Sequence, residues 1–393
     1  MIPQLPTALG AVSVTRYASP SLLSEASTCI VRTFARDSDD GGYLDSLIKG
    51  PFVEVGRAVH KSLEIADGAL NIEDIFHDII RARETELQVD ERRKHYSNLR
   101  ESVGQDRWNE RLEIVMSHRG LDAPVELHET GRASGVQRLN PATFKAPSEW
   151  VELYVVSDEL SLSGQIDRLE MLMNNVVRII DYKTGEVLDD NENAKREYLM
   201  QLAAYEAICR GYWPDAQFEL VLDNGAEFKV TIDDEIRNEL QQKLVLLRLS
   251  IGSLAGQQIM AASYESLSEG CLDCPVRHTC NAYRAALRDD SLKEIVAVES
   301  LKSMSDGFGV VEKIHKTPIE TVVNVRTSSG RKIQIRSSFD WQVSNLVVGN
   351  QIAFFGFTAQ RNKNKATGAE TAPFVYSDSF RNSRNWNAEI FLT

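Results

Sequence analysis

The chain has 393 residues, 42% hydrophobic and 26% charged, the balance of a soluble globular protein long enough for two or three domains. Its formal net charge is −13, which argues against general adhesion to nucleic acid, because such binding needs cations to replace condensed counterions. No apolar run nears the roughly 18 residues of a membrane span, the first residues lack a basic start, and five cysteines are too few for a stapled secreted scaffold, so a cytoplasmic location without membrane contact is expected.

The charge is uneven. Residues 301–393 carry 12 Lys and Arg against 7 Asp and Glu, a net of +5, and the first 300 residues hold the remaining 32 against 50. A basic segment therefore follows an acidic body, and contact with a nucleic acid would be local. In chain order, residues 14–36 contain a Ser19-Pro20-Ser21 helix start followed by an apolar-periodic turn that turns Cys29 inward. Residues 51–66 predict a helix in which His60 follows Gly56 by four and shares a face with Glu64. A helical insertion, about residues 66–120 and most strongly periodic over 72–118, comes next, and 121–150 read as loop or short strands. Residues 150–156 predict a strand bearing Glu152, an acidic candidate whose bland alternative is a strand-edge surface residue.

The densest chemistry lies in the following hairpin. Residues 162–171 alternate as a strand, 172–175 read as the turn, and 176–183 (VVRIIDYK) form a β-branched second strand. Folding the hairpin brings Asp167 near Asp181 and Lys183. Two carboxylates a few ångströms apart repel unless a divalent cation lies between them, and a hard ion such as Mg²⁺ or Mn²⁺ prefers those oxygens. A lysine beside such a metal can orient water and offset charge on a phosphate, which is the outline of phosphodiester hydrolysis. A neutral His60 imidazole is a further candidate ligand. The bland alternative is a surface salt-bridge cluster at strand ends. Residues 198–210 (YLMQLAAYEAICR) then form a strong helix that puts Gln201 and Tyr205 four apart on one face. Arg168 and Thr184 are candidate phosphate contacts, with Lys195 and Arg196 behind them.

GxxxH at Gly56–His60, GxxDR at Gly164–Arg168, DxK at Asp181–Lys183 and QxxxY at Gln201–Tyr205 occur in one order. This set resembles the RecB-like branch of the PD-(D/E)XK nucleases. The resemblance implies an α/β restriction-endonuclease-like core with a helical insertion. It also implies a catalytic set of His60, Asp167, Asp181, Lys183, Gln201 and Tyr205, and a metal held by His60, Asp167, Asp181 and the Tyr182 carbonyl. Downstream, 217–222 and 227–232 flank an Asn224-Gly225 turn signal, and 233–255 read as a long amphipathic helix leading to Cys271-x2-Cys274-x5-Cys280. Together with the remote Cys29, that trio is similar to the iron-sulfur subclass, which includes CRISPR-associated RecB-like exonucleases and AddB-type helicase–nuclease subunits. The likeness implies a [4Fe-4S] cluster on Cys29, Cys271, Cys274 and Cys280. Zinc is the alternative for four thiolates. Cys209 reads as a buried helix residue.

Beyond residue 300 the pattern changes to short strands at 309–317, 320–326, 331–336, 347–358 and 373–379. This predicts a small all-β barrel, OB-like by preference and SH3-like otherwise. The expected division is a nuclease domain over 1–300 and a nucleic-acid-binding barrel over 301–393. Candidate contacts are Lys313, Arg326, Lys332, Arg336, Phe339, Trp341, Phe357 and Arg361, since cations with exposed rings suit single strands, although strand aromatics are more often core. The activity implied is a metal-dependent deoxyribonuclease, an exonuclease on single-stranded DNA in repair, recombination or anti-phage defence. The alternatives are a structure- or site-specific endonuclease and a partner-activated nuclease subunit. No GxxxxGK[ST] motif occurs, so unwinding would fall to a partner such as a helicase.

Overall fold

The computed structural model describes residues 2–6, 11–13, 17–23, 29, 32, 47–65, 71–117, 146–254, 258–260, 271, 274–289, 305–338, 343–360, 374–377, 379–380, 383–384 and 386–393. In chain order its elements are β1 (Ala11–Ser13), α1 (Pro51–Ile65), α2 (Ile72–Val89), α3 (Leu99–Val103), α4 (Gln105–Ser117), β2 (Ser148–Ser157), β3 (Leu162–Leu172), β4 (Val176–Tyr182), α5 (Arg196–Tyr212), β5 (Gln217–Asp223), β6 (Glu227–Val230) and α6 (Asp234–Leu254). There follow β7 (Gln258–Met260), α7 (Asn281–Arg288), β8 (Ser305–Lys316), β9 (Thr321–Arg326), β10 (Lys332–Ser337), β11 (Gln351–Gln360), β12 (Phe374–Ser377), the pair β13 (Ser379–Phe380) and β14 (Ser383–Arg384), and β15 (Glu389–Leu392).

The central sheet has the order β2-β3-β4-β5-β6. β3 and β4 are antiparallel, and the turn between them places Asn174 and Asn175 at φ 64 and 60, a left-handed conformation that asparagine tolerates. β4 and β5 are parallel, so they need a crossover, and the alanine- and leucine-rich α5 supplies it. Alternation then assigns the two faces. Val177, Ile179, Leu220 and Leu222 pack with α5 and with Ile236, Leu240, Leu244 and Leu247 of α6. Ile180, Tyr182 and Val221 face the other way, onto Val55 and Val59 of α1, Phe76 of α2 and Trp108 of α4. β4 is buried on both faces, and its outgoing end is where the candidate site lies.

The C-terminal strands form a mixed sheet in the order β12-β10-β9-β8-β11-β15, with β10 and β12 parallel. The expected small OB-like barrel is corrected here. Among the described residues the sheet has six strands, not five, and β11 pairs with β15 along Ile352–Phe355 and with β12 along Thr358–Gln360. β15 in turn takes N-terminal chain on its outer side, through Leu5 N donating to Leu392 O at 2.7 Å and Leu392 N to Pro3 O at 2.9 Å. An extended sheet that recruits residues 3–5 replaces a barrel built from the C-terminal segment alone. Strand alternation predicted the strands but not their partners, because pairing between positions as far apart as Gln4 and Leu392 leaves no local signature. Phe357, expected as a nucleic-acid contact, lies fully buried in this sheet's core with Phe354 and Tyr376. No helix of the described residues is long and apolar enough to cross a membrane.

Candidate functional site

β3 and β4 pair as far as Arg168 against Ile180, and the same register carried one step further sets Asp167 across from Asp181. Asp167 Oδ2 accepts the Tyr182 N–H at 2.7 Å. Lys183 follows directly, with its own N–H donated to Asp223 O on β5 at 2.7 Å. That bond ties the lysine backbone to the parallel neighbour, so its side chain leaves the sheet end in a set direction. The ammonium forms an ion pair with Asp181 Oδ2 and donates to Gln201 Oε1 at 3.2 Å. It also lies 4.8 Å above the ring of Tyr198, which carries Lys195 at 5.9 Å as well. Tyr198 is a site residue missed in the sequence, although its position three before Gln201 on one helical face was the available signal.

α1 brings His60 in from the opposite side, with Nδ1 3.8 Å from Asp167 Oδ2 and the side chain 34% exposed. The motif glycines are explained by close approach. A Cβ on Gly56 would meet Thr184 Oγ1 at 2.9 Å, and one on Gly164 would meet Pro20 Cδ at 2.7 Å and the Tyr205 ring at 3.0 Å. Gly56 thus lets α1 sit against the end of β4. Gly164 admits Tyr205, whose hydroxyl donates to Gln165 O at 2.7 Å and braces α5 on β3. Glu152, opposite Asp167 by the β2–β3 register, has φ 53, a strained value for a non-glycine residue, and its carbonyl accepts from Gln165 Nε2 at 3.2 Å.

Burial dominates the electrostatics. It pushes Asp167 up to about 6 against the lowering effects of Lys183 and the Tyr182 amide. Asp181 is likewise pushed up to about 6 by burial, with the Asp167 charge adding to the shift and Lys183 opposing it. His60 moves below its usual value, through burial first and then the Lys183 charge, which favours the neutral imidazole. The site therefore holds two carboxylates short of positive charge, facing a neutral nitrogen base. By residue type this donor set suits a hard divalent cation, with His60, Asp167, Asp181 and the Tyr182 carbonyl as its candidate holders, but these side chains, like the cysteines, are not already gathered into a metal-holding group.

The expected cysteine cluster is corrected. Among the described residues no group of three or more His, Cys, Asp or Glu side chains is assembled to hold a metal ion, so neither a [4Fe-4S] cluster nor a four-thiolate zinc site is formed. Cys29, Cys271, Cys274 and Cys280 form no disulfide. Cys29 and Cys274 pack against the central-sheet core, whereas Cys271 and Cys280 pack against α7 and the C-terminal sheet. Burial pushes Cys274 up to about 12 and raises Cys280, with the nearby Cys29 adding to both shifts and Cys271 to that of Cys280. Spacing showed the cysteines but not which core each would join. Cys209 is buried, as its helical context suggested.

The candidate phosphate contacts are scattered. Arg168 is committed to Glu149 at 2.9 Å and Glu170 at 2.5 Å, and Arg196 to Glu235 and Glu239. Thr184 lies at the site against Gly56. Lys313 and Lys332 are exposed on β8 and β10, while Arg326 is paired with Glu312 and Arg336 lies 3.6 Å from Glu320. Phe339, Trp341 and Arg361 lie outside the described residues. Residues 17–281 match the family model of the PD-(D/E)XK nuclease superfamily. No curated protein matches the chain.

Proposed function

Because the chain belongs to the PD-(D/E)XK nuclease superfamily, we propose that it is a divalent-metal-dependent deoxyribonuclease of the RecB-like branch that degrades single-stranded DNA from an end. The observation carrying this reading is the juxtaposition of Asp167 and Asp181, both raised to about 6, with Lys183 held against Asp181 and Gln201. The RecB-like assignment rests on His60 and the Gln201–Tyr205 pair, which reach this hairpin from two separate helices. His60, Asp167, Asp181 and the Tyr182 carbonyl would hold Mg²⁺ or Mn²⁺, which would supply Lewis-acid polarisation of the phosphate and a more acidic water.

The protein's own groups do the rest. Lys183, fixed by Gln201 and the Tyr198 ring, orients the attacking water and offsets charge that accumulates on the phosphate. His60 stays neutral and offers a nitrogen lone pair. Tyr205 holds β3 in register with α5 so that Asp167 keeps its place. Thr184 and the exposed cations Lys313 and Lys332, with Arg326 and Arg336 beside them, meet backbone phosphates of the incoming strand. Repair, recombination or anti-phage defence would use such an activity.

The test compares wild type with Lys183→Ala on end-labelled linear and on circular single-stranded DNA, with Mg²⁺ or Mn²⁺ and with EDTA. Metal-dependent loss of the linear strand alone, abolished in the variant, is expected. Cutting of the circle would replace the exonuclease with an endonuclease, and absence of metal-dependent cleavage of either would overturn the reading.

A further inference from the structure

The C-terminal strand β15 reaches across the molecule to the base of the helix that carries His60. Glu389 on β15 is 1% exposed. Its carboxylate accepts Arg92 Nε at 2.8 Å and Nη2 at 3.1 Å, and the Ile48 N–H at 2.8 Å. Ile48 lies three residues before Pro51, the first residue of α1, and Arg92 lies just beyond α2. The residues before Glu389 close the same joint. A Cβ on Gly50, which has φ +81, would lie 3.0 Å from Asn387 Oδ1 and 3.1 Å from Trp386 Cβ. Trp386 stacks on His95 at 5.7 Å and meets Tyr96 edge-on at 6.0 Å. The Arg92 guanidinium covers the Phe391 ring at 5.5 Å.

A buried ion pair is a poor adhesive, because desolvating both charges offsets most of their attraction. What the forked guanidinium–carboxylate bond provides is a single allowed orientation. Here it fixes where the chain enters α1. His60 stands ten residues beyond Gly50, or about 15 Å along the helix, so a tilt of about 4° at the base would displace the imidazole by about 1 Å. A shift of that size is enough to spoil a coordination shell.

We propose that Glu389 is a positioning residue: through Arg92 and Ile48 it sets the base of α1, and with it the distance between His60 and Asp167. The C-terminal sheet is then part of the frame of the metal site and not a detachable affinity module. This rests on the proposed reading of His60 as a metal ligand.

The experiment uses the full chain without nucleic acid, comparing wild type with Glu389→Gln and Arg92→Lys. It records the ¹⁵N-histidine spectrum of the metal-free protein, Mn²⁺ affinity by titration, and thermal unfolding. The expected result is a displaced His60 resonance and Mn²⁺ binding weakened about tenfold, the lower end of what outer-shell partners of metal ligands contribute. Lys316→Gln, on the exposed end of β8, should change neither. Glu389→Gln and Arg92→Lys proteins that melt lower yet keep the wild-type His60 resonance and Mn²⁺ affinity would overturn the proposal, leaving the nuclease reading intact. Wild type that binds no Mn²⁺ would sink the nuclease reading instead, with the His60 resonance still reporting on the positioning. Should Glu389→Gln fail to fold, Arg92→Lys carries the same test, since it keeps the charge and removes only the fork.

Discussion

Two sets of buried carboxylates behave differently in this protein. Asp306 accepts Arg277 Nε at 2.5 Å, Tyr283 OH at 2.8 Å and Gly356 N at 2.7 Å, and Glu389 accepts a guanidinium fork and an amide. Burial raises Glu389 too, and lifts Asp167 and Asp181 to about 6; the difference lies in the partners, because Asp167 and Asp181 have one lysine, the Tyr182 amide and each other where Glu389 has a guanidinium fork. Carboxylates that the protein itself satisfies hold the C-terminal sheet to the rest of the molecule. Those left short of positive charge mark the place for a ligand.

The largest test of this contrast is at Lys183. Lys183→Met should lower the single-strand cleavage rate by about 10³-fold or more, as loss of a transition-state charge partner does, while Mn²⁺ binding by titration is retained. A variant that loses both equally would make Lys183 a structural counterion like Arg277. Next comes Arg277→Met, which leaves Asp306 buried without its guanidinium and should cost about 3 kcal/mol in urea unfolding, by the behaviour of broken buried pairs. An unchanged midpoint would show that Tyr283 and Gly356 suffice. Gly164→Ala forces a methyl into Pro20 and the Tyr205 ring and should cost about 2 kcal/mol by overpacking, also read in urea. The same variant should cleave more slowly, because the strand bearing Asp167 must shift.

The smallest effect is the one most specific to the site. The folded pKa values of Asp167 and Asp181 lie near 6, above the roughly 3.9 of an unfolded aspartate. Their contribution to stability is therefore full below about 3.9 and is lost as pH rises through about 6. A divalent cation that binds the ionised pair opposes that loss, so Mn²⁺ should raise Tm more at about pH 7.5 than at about pH 5. An equal increment at both would mean that this pair is already as well satisfied as Asp306.

The hairpin and its neighbours were legible because they are local. Alternation over β3 and β4, with the Asn174–Asn175 turn between them, sets Asp167 opposite Asp181 within fifteen residues, and helical spacing puts Gln201 and Tyr205 on one face of α5. Motif order then implied a nuclease core, which the family match over residues 17–281 supports. The cysteines and the C-terminal sheet were legible only as parts. Residue type and period showed that thiols and strands exist, while the core each thiol joins and the partner each strand edge takes depend on contacts hundreds of residues apart.

Residue order alone dictates the chemistry available at the hairpin end, since short-range periodicity sets which side chains share a face. Long-range packing sets the rest: Gly56 and Gly164 make room for Thr184 and Tyr205, Arg168 is spent on Glu149 and Glu170, and Glu389 bonds Arg92 and the Ile48 amide ahead of the His60 helix. These are choices among long-range partners, made by burial and charge pairing in three dimensions, and no spacing along the chain encodes them.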